Sequence, residues 1–153
     1  MAALEGLYDP GTIRHLDALG VGEGWRCWDA AAGGGSNAAW LCRRVGSPGT
    51  VLATDLDTRF LEAIDAPNLE VRRHDIVTDP LPDECFDRIH TRLLLTHLPG
   101  RESVIHRQAG ALAPGGWLVL EEFETIAPNV DPRLGAERTA LVLKVLAALV
   151  AYL

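Results

Sequence analysis

Two patterns alternate along this chain: short apolar runs bounded by glycine, proline or an acid, and segments whose apolar residues recur at helical spacing. Residues 25–30 (WRCWDA) read as a buried strand, 50–55 (TVLATD) as a second rich in apolar and β-branched residues, 69–73 and 86–94 as a third and fourth, and residues 117–123 supply a fifth. Between them, residues 37–45 predict a helix with Ser36 as its cap, 58–64 a brief helix and 101–112 another. Asp9-Pro10 reads as an N-cap followed by proline at the first helical position, opening a short helix that Gly20 and Gly22 close. Asp131-Pro132 starts a last helix. The run Gly46-Ser47-Pro48-Gly49, a loop at Pro80 and Pro82, and Pro114-Gly115-Gly116 punctuate the pattern as turns.

Strands alternating with helices at this pitch predict an α/β domain with a parallel sheet covered on both faces. Right-handed crossovers bring the loops after the strands to one edge of that sheet. Ligands bind there, where the strand order reverses. The residues just past each strand are therefore the ones that carry function.

Composition narrows the class. The 153 residues are 48% hydrophobic, enough for one domain with its own core. A formal charge of -7 disfavours nucleic acid and anionic lipid as partners, and Arg43-Arg44 and Arg72-Arg73-His74 read as solvated faces. Cys27, Cys42 and Cys85 are an odd number without C-x-x-C spacing, which points to reduced thiols in a cytoplasmic protein. No signal peptide opens the chain. The apolar segment 141–153 contains Lys144 and is too short to span a bilayer, so no membrane partner is expected. His15, His90 and His106 lack metal-ligand spacing, and no metal is expected.

Four places after strands carry chemistry. Asp29 ends the first strand, and Ala30-Ala31-Ala32-Gly33-Gly34-Gly35-Ser36 leads into a helix whose start offers unpaired N–H groups; an ordinary strand-to-helix turn has the same composition. Asp55 lies twenty positions beyond Gly35, where a carboxylate can accept from the vicinal hydroxyls of a ribose. Asp55 and Asp57 also compete for the role of helix cap, with Asp57 the better cap and Asp55 the better ligand. Past the third strand, Asp75 can accept from an adenine amino group while Ile76 covers the ring, or His74-Asp75-Ile76 is a plain surface loop. The fourth segment, Phe86-Asp87-Arg88-Ile89-His90-Thr91-Arg92, runs on to His97-Leu98-Pro99.

Together, from Asp9 to Phe123, these segments and the Ala113-Pro114-Gly115-Gly116-Trp117 turn resemble the class I S-adenosylmethionine-dependent methyltransferases, especially the bacterial small-molecule group with the motif D-x-G-x-G-x-G. The resemblance implies a Rossmann-like doubly wound parallel sheet in the order 3-2-1-4-5, lacking the usual last two strands. It divides the chain into an N-terminal segment (1–24), the S-adenosylmethionine-binding α/β domain (25–130) and an apolar C-terminal helix (131–153). Asp29 would orient the cofactor's methionine amino group, and the backbone of Ala31, Ala32 and Gly33 would pass along the cofactor. Asp55 would hold the ribose, with Leu56 against the adenine. Asp75 and Ile76 would frame the adenine edge, and Arg92 would lie near the methionine moiety. Ala31 stands where the family's first motif glycine does, and its added methyl group works against cofactor binding.

The activity so implied is methyl transfer to a small-molecule acceptor by in-line displacement, which needs positioning more than an acid–base dyad. His97 is the candidate base where a proton must leave. Two alternatives stand beside this reading. One is a non-catalytic methyltransferase-like assembly module. The other is an NAD-binding oxidoreductase, since Gly33, Gly35 and Ala38 satisfy G-x-G-x-x-A; that fingerprint does not call for Asp29, Asp75 or the P-G-G turn. The open edge of the fifth strand and the last helix, apolar on more than one face, predict a homodimer.

Overall fold

The computed structural model describes residues 2–81, 85–122 and 133–152. Two compact units divide the chain, Met1–Glu121 and Glu122–Leu153. The first contains α1 (Ala2–Ala18), β1 (Arg26–Ala30), α2 (Ser36–Val45), β2 (Thr50–Asp55), β3 (Leu69–Arg73), β4 (Phe86–Arg92), α3 (Arg101–Gly110) and β5 (Leu112–Glu121). The second contains α4 (Ala136–Tyr152).

All five strands form one sheet in the order β3-β2-β1-β4-β5, with every neighbouring pair parallel. This is the order and class the sequence predicts. The central strands are buried along nearly their whole length because both faces are covered. On one face Cys27, Val51 and Ala53 pack with Leu16 of α1 and Ala38, Leu41, Cys42 and Val45 of α2. On the other, Trp28, Ala30, Leu52 and Ile89 pack with Val104 of α3. Trp28 anchors this second face: it is fully buried, lies 5.5 Å from the Phe86 ring, and donates from Nε1 to Thr54 Oγ1 at 2.9 Å.

Several boundaries differ from the expectation. The first helix starts seven residues before Asp9, with Pro10 in its interior. Asp9 is not its cap, and its carboxylate instead accepts from Arg92 and Ser36. Ser36 makes no capping bond; α2 is entered through Gly35 in the left-handed conformation (φ 84°). Residues 58–64 are turns rather than a helix, held by bonds such as Glu62 N to the Thr58 carbonyl. β4 ends at Arg92 because Leu93 turns left-handed (φ 55°). The Ala113-Pro114-Gly115-Gly116 turn interrupts β5 rather than preceding it: Leu112 already pairs with Phe86, and pairing resumes at Trp117 opposite Arg88. Pro82, Phe123, Asp131 and Pro132 lie outside the described residues. In α4, Leu141, Val142, Leu143 and Val145 are exposed, against the expected burial. Its own unit offers no other element among the described residues to cover them.

Gly116 is needed where it stands. A Cβ there would meet the carbonyl oxygens of Phe86, Ala113 and Asp87 at 2.8, 3.0 and 3.1 Å, all backbone. Gly116→Ala should therefore destabilise by about 1–3 kcal/mol, the usual cost of overpacking. A lowered urea midpoint with unchanged slope is the expected result.

Candidate functional site

The carboxyl ends of the parallel strands converge on a cavity of about 360 Å³. Its size falls in the range of small-molecule sites. Asp29, Ala31, Ala32, Gly33, Asp55, Leu56, Asp75, Ile76 and Arg92 all line it. The topology explains the convergence. β1 and β4 are neighbours at the centre of the sheet, yet their following loops cross to opposite faces, which opens a crevice between them. Leu4, Glu5 and Tyr8 of α1 wall its outer side. His97 is exposed and lies off the wall, to which its neighbours Leu94 and Leu98 contribute.

Each acid is held by the backbone around it. Asp55 Oδ2 accepts from Gly33 N at 2.9 Å and Oδ1 from Asp57 N at 3.1 Å, which ties the glycine loop to the end of β2. A carboxylate has about four lone-pair sites, so Asp55 keeps capacity for a diol. Asp75 Oδ1 accepts from Val77 N at 2.9 Å, and this bond is the first cause of its depressed pKa. Ala31 holds the left-handed conformation (φ 56°) that a glycine would adopt freely.

Asp29 sits deepest, 2% exposed, at the point where β1 faces His90 of β4. Its Oδ1 accepts from Asn37 Nδ2 at 2.7 Å and lies 2.8 Å from His90 Nδ1, a ring nitrogen that is also 3.0 Å from Asn37 Nδ2. Its Oδ2 is buried without a hydrogen-bond partner among the described residues. The other ring nitrogen of His90, Nε2, lies 3.0 Å from Glu121 Oε2, which also accepts from Thr12 Oγ1 at 2.5 Å. Burial opposes ionisation of both carboxyls. The bonds and charge of His90 outweigh it, holding Asp29 below the usual carboxylate range and Glu121 at about 2. Arg88, fully buried two residues before His90 on the same strand face, has guanidinium nitrogens with no oxygen or nitrogen partner among the described residues. Burial lowers its pKa, while the charges of Asp29, Cys27 and Glu121 favour the cation.

Sequence reasoning missed His90, Glu121 and Asn37 as parts of the site. The available signal was the alternation Arg88, His90, Arg92, which places three polar side chains on one face of a strand otherwise expected to be apolar. It also missed Arg107 of α3, whose Nη1 donates to the carbonyls of Ile76 (3.1 Å) and Val77 (2.8 Å) and whose Nη2 donates to that of Asp79. That guanidinium fixes the loop after β3. Arg92 is shared: Nη1 donates to Asp9 Oδ1 and Thr12 Oγ1, both at 3.0 Å, pinning α1 across the mouth.

Among the described residues no cluster of three or more histidines, cysteines and acids could hold a metal ion. None of their helices is long and apolar enough to cross a membrane.

Residues 28–120 match the methyltransferase-domain family. The methyltransferase GfsG of Streptomyces halstedii is 32% identical over 120 residues, covering 73% of this chain and 42% of that protein. The structure of a SAM-dependent methyltransferase from Aquifex aeolicus superposes with TM-score 0.66 at 21% identity, over 87% of this chain and 77% of that one. A DhpI–SAH complex superposes with TM-score 0.59 at 25% identity, over 76% and 58%. The chain spans less than half the length of the curated relatives it matches.

Two outcomes follow. At Ala31, glycine relieves the left-handed strain but gives the unfolded chain more conformational entropy to lose on folding, so Ala31→Gly should leave stability within about 1 kcal/mol of the parent or raise it. In a helix the same exchange costs about 1 kcal/mol, which Ala39→Gly in α2 would show by thermal denaturation. Asp29 and Glu121 are both depressed in the folded chain, so the stability they confer is present above their ordinary values and is lost as pH falls below them, for Glu121 from 4.5 toward about 2. Urea midpoints measured across that window should fall steeply for the parent and less steeply for Glu121→Gln.

Proposed function

We propose that this chain, which belongs to the methyltransferase-domain family of class I S-adenosylmethionine-dependent enzymes, binds S-adenosylmethionine in the cavity at its strand ends and transfers the methyl group to a small-molecule acceptor. The observation that carries the reading is the meeting of Asp29, Asp55 and Asp75, remote in sequence, on the wall of one cavity. A match of the family over residues 28–120 and the SAH-bound neighbour support it.

The residues present fit the cofactor. Asp29 Oδ2, buried and unpartnered, is an acceptor awaiting a donor, which the ammonium group of a methionine moiety supplies. Asp55 takes the ribose hydroxyls with its remaining lone pairs. Leu56, 57% exposed on the rim, and Ile76, buried, offer apolar surface to adenine. When bound, S-adenosylmethionine brings a sulfonium methyl group already activated for displacement. The protein's part is to hold both reactants in line and to exclude water, and positioning of this kind supplies much of an acceleration. Tyr8, Glu5 and Leu4 face the same cavity from α1 and form the side on which an acceptor is received.

The partner for the open edge of β5 is a second copy of the chain. Among the described residues β5 pairs with β4 alone, and Trp117 on it is 49% exposed. The thiols of Cys27 and Cys42 are buried and pushed up to about 11, first by that burial, which suits inert reduced cysteines in the cytoplasm.

Isothermal titration with S-adenosylhomocysteine tests the cofactor assignment. Binding is expected, with loss of about tenfold or more in Asp55→Ala from the missing diol contacts. NADH should give no heat, and its binding in place of the homocysteine ligand would move the chain to the oxidoreductases. Light scattering behind size exclusion should give twice the chain mass at micromolar concentration. A monomer there removes the dimer.

A further inference from the structure

His90 has a use that the cofactor contacts do not account for. It projects from the middle of β4 and is directly opposite Asp29 in the β1–β4 register. It is 2% exposed, and both ring nitrogens face carboxylates: Nδ1 faces Asp29 Oδ1 at 2.8 Å, and Nε2 faces Glu121 Oε2 at 3.0 Å. What it does is fix a plane. Glu121, itself held by Thr12 and His15 of α1, sets one end of the ring, and the other end then determines which oxygen of Asp29 is occupied.

The consequence appears at Asp29. Its Oδ1 is approached twice, by His90 and Asn37, while its Oδ2 has no hydrogen-bond partner among the described residues. A buried carboxylate could rotate to share its donors between both oxygens; two donors converging on one oxygen from different strand and helix positions prevent that. We propose that His90, held by Glu121, is a positioning residue for the amino-acid end of the cofactor, orienting Asp29 so that one oxygen stays available for the ligand's ammonium group. The proposal rests on the S-adenosylmethionine reading above. It adds a specificity element: recognition of the amino-acid end depends on the side chain that orients Asp29 as well as on Asp29 itself.

The test separates that end from the nucleoside. S-adenosylhomocysteine carries the amino-acid end with its ammonium group, and 5′-methylthioadenosine lacks that end altogether, so the ratio of their affinities reports on the amino-acid subsite, and a change in the ratio on substituting His90 reports on Asp29 within it. An asparagine amide reaches the position of Nδ1 and still donates to Asp29, whereas a glutamine amide reaches that of Nε2 and does not. His90→Gln should therefore lower the preference for S-adenosylhomocysteine by about tenfold, the scale of one hydrogen bond involving a charged group. His90→Asn should keep the preference within about threefold of the parent. 5′-Methylthioadenosine should bind all three proteins alike, which also shows that the cavity is folded. Equal weakening of both ligands in both variants would reduce His90 to a packing role and overturn the proposal, as would a preference unchanged in His90→Gln. If the parent binds neither ligand, the cofactor reading itself fails and takes this inference with it. If it binds both without preference, only the inference fails.

Discussion

An imidazole set between two carboxylates, in the interior of a parallel sheet, is the interaction around which this molecule's cavity end is organised. Buried charge is costly unless answered, and removing one member of such a set leaves the others uncompensated. Asp29 and Glu121 are answered by His90 and by Arg88, which sits one pleat earlier on the same strand face. The set joins β1, β4 and β5 to one another. Through Thr12 and His15 it also reaches α1, the helix that walls the cavity. Strand register, helix placement and the deepest acid of the site thus share one group of bonds.

The strand-end acids resolve a choice that composition leaves open, between a ligand role and a local backbone role. Both uses coexist in one side chain. Asp55 holds Gly33 N and Asp57 N and still has lone pairs to offer. Asp75 closes the turn to Val77 on the cavity wall. A carboxylate that first orders its own loop meets a ligand with less freedom left to lose, which is the advantage of a preorganised site.

Much of this was legible from residue order. β2 and β3 have the predicted limits: β2 is an apolar and β-branched run buried in the sheet, and β3, at the sheet edge, sets Leu69 and Val71 between charged residues. The wall residues followed from the rule that loops after parallel strands share an edge. What escaped was long-range pairing. His90 and Glu121 lie 31 residues apart and His90 and Asp29 lie 61 apart, and no local pattern announces such partners. Asp9-Pro10 misled because its local signature is that of a cap, whereas the tertiary pull of Arg92 and Ser36 on Asp9 places it inside the helix. The shortened β4 reflects a backbone conformation at Leu93, left-handed without glycine, that propensity does not foresee.

The grip of Arg107 on the carbonyls of Ile76, Val77 and Asp79 has a consequence for how the adenine-side loop can move. Three acceptors are served by a single planar fork, and a lysine, with its flexible point charge, could not replace it. Order in that stretch consequently hangs on one side chain. That side chain lies on α3, a helix packed on the far side of the sheet from α1, so each wall of the crevice is braced from a different layer of the fold.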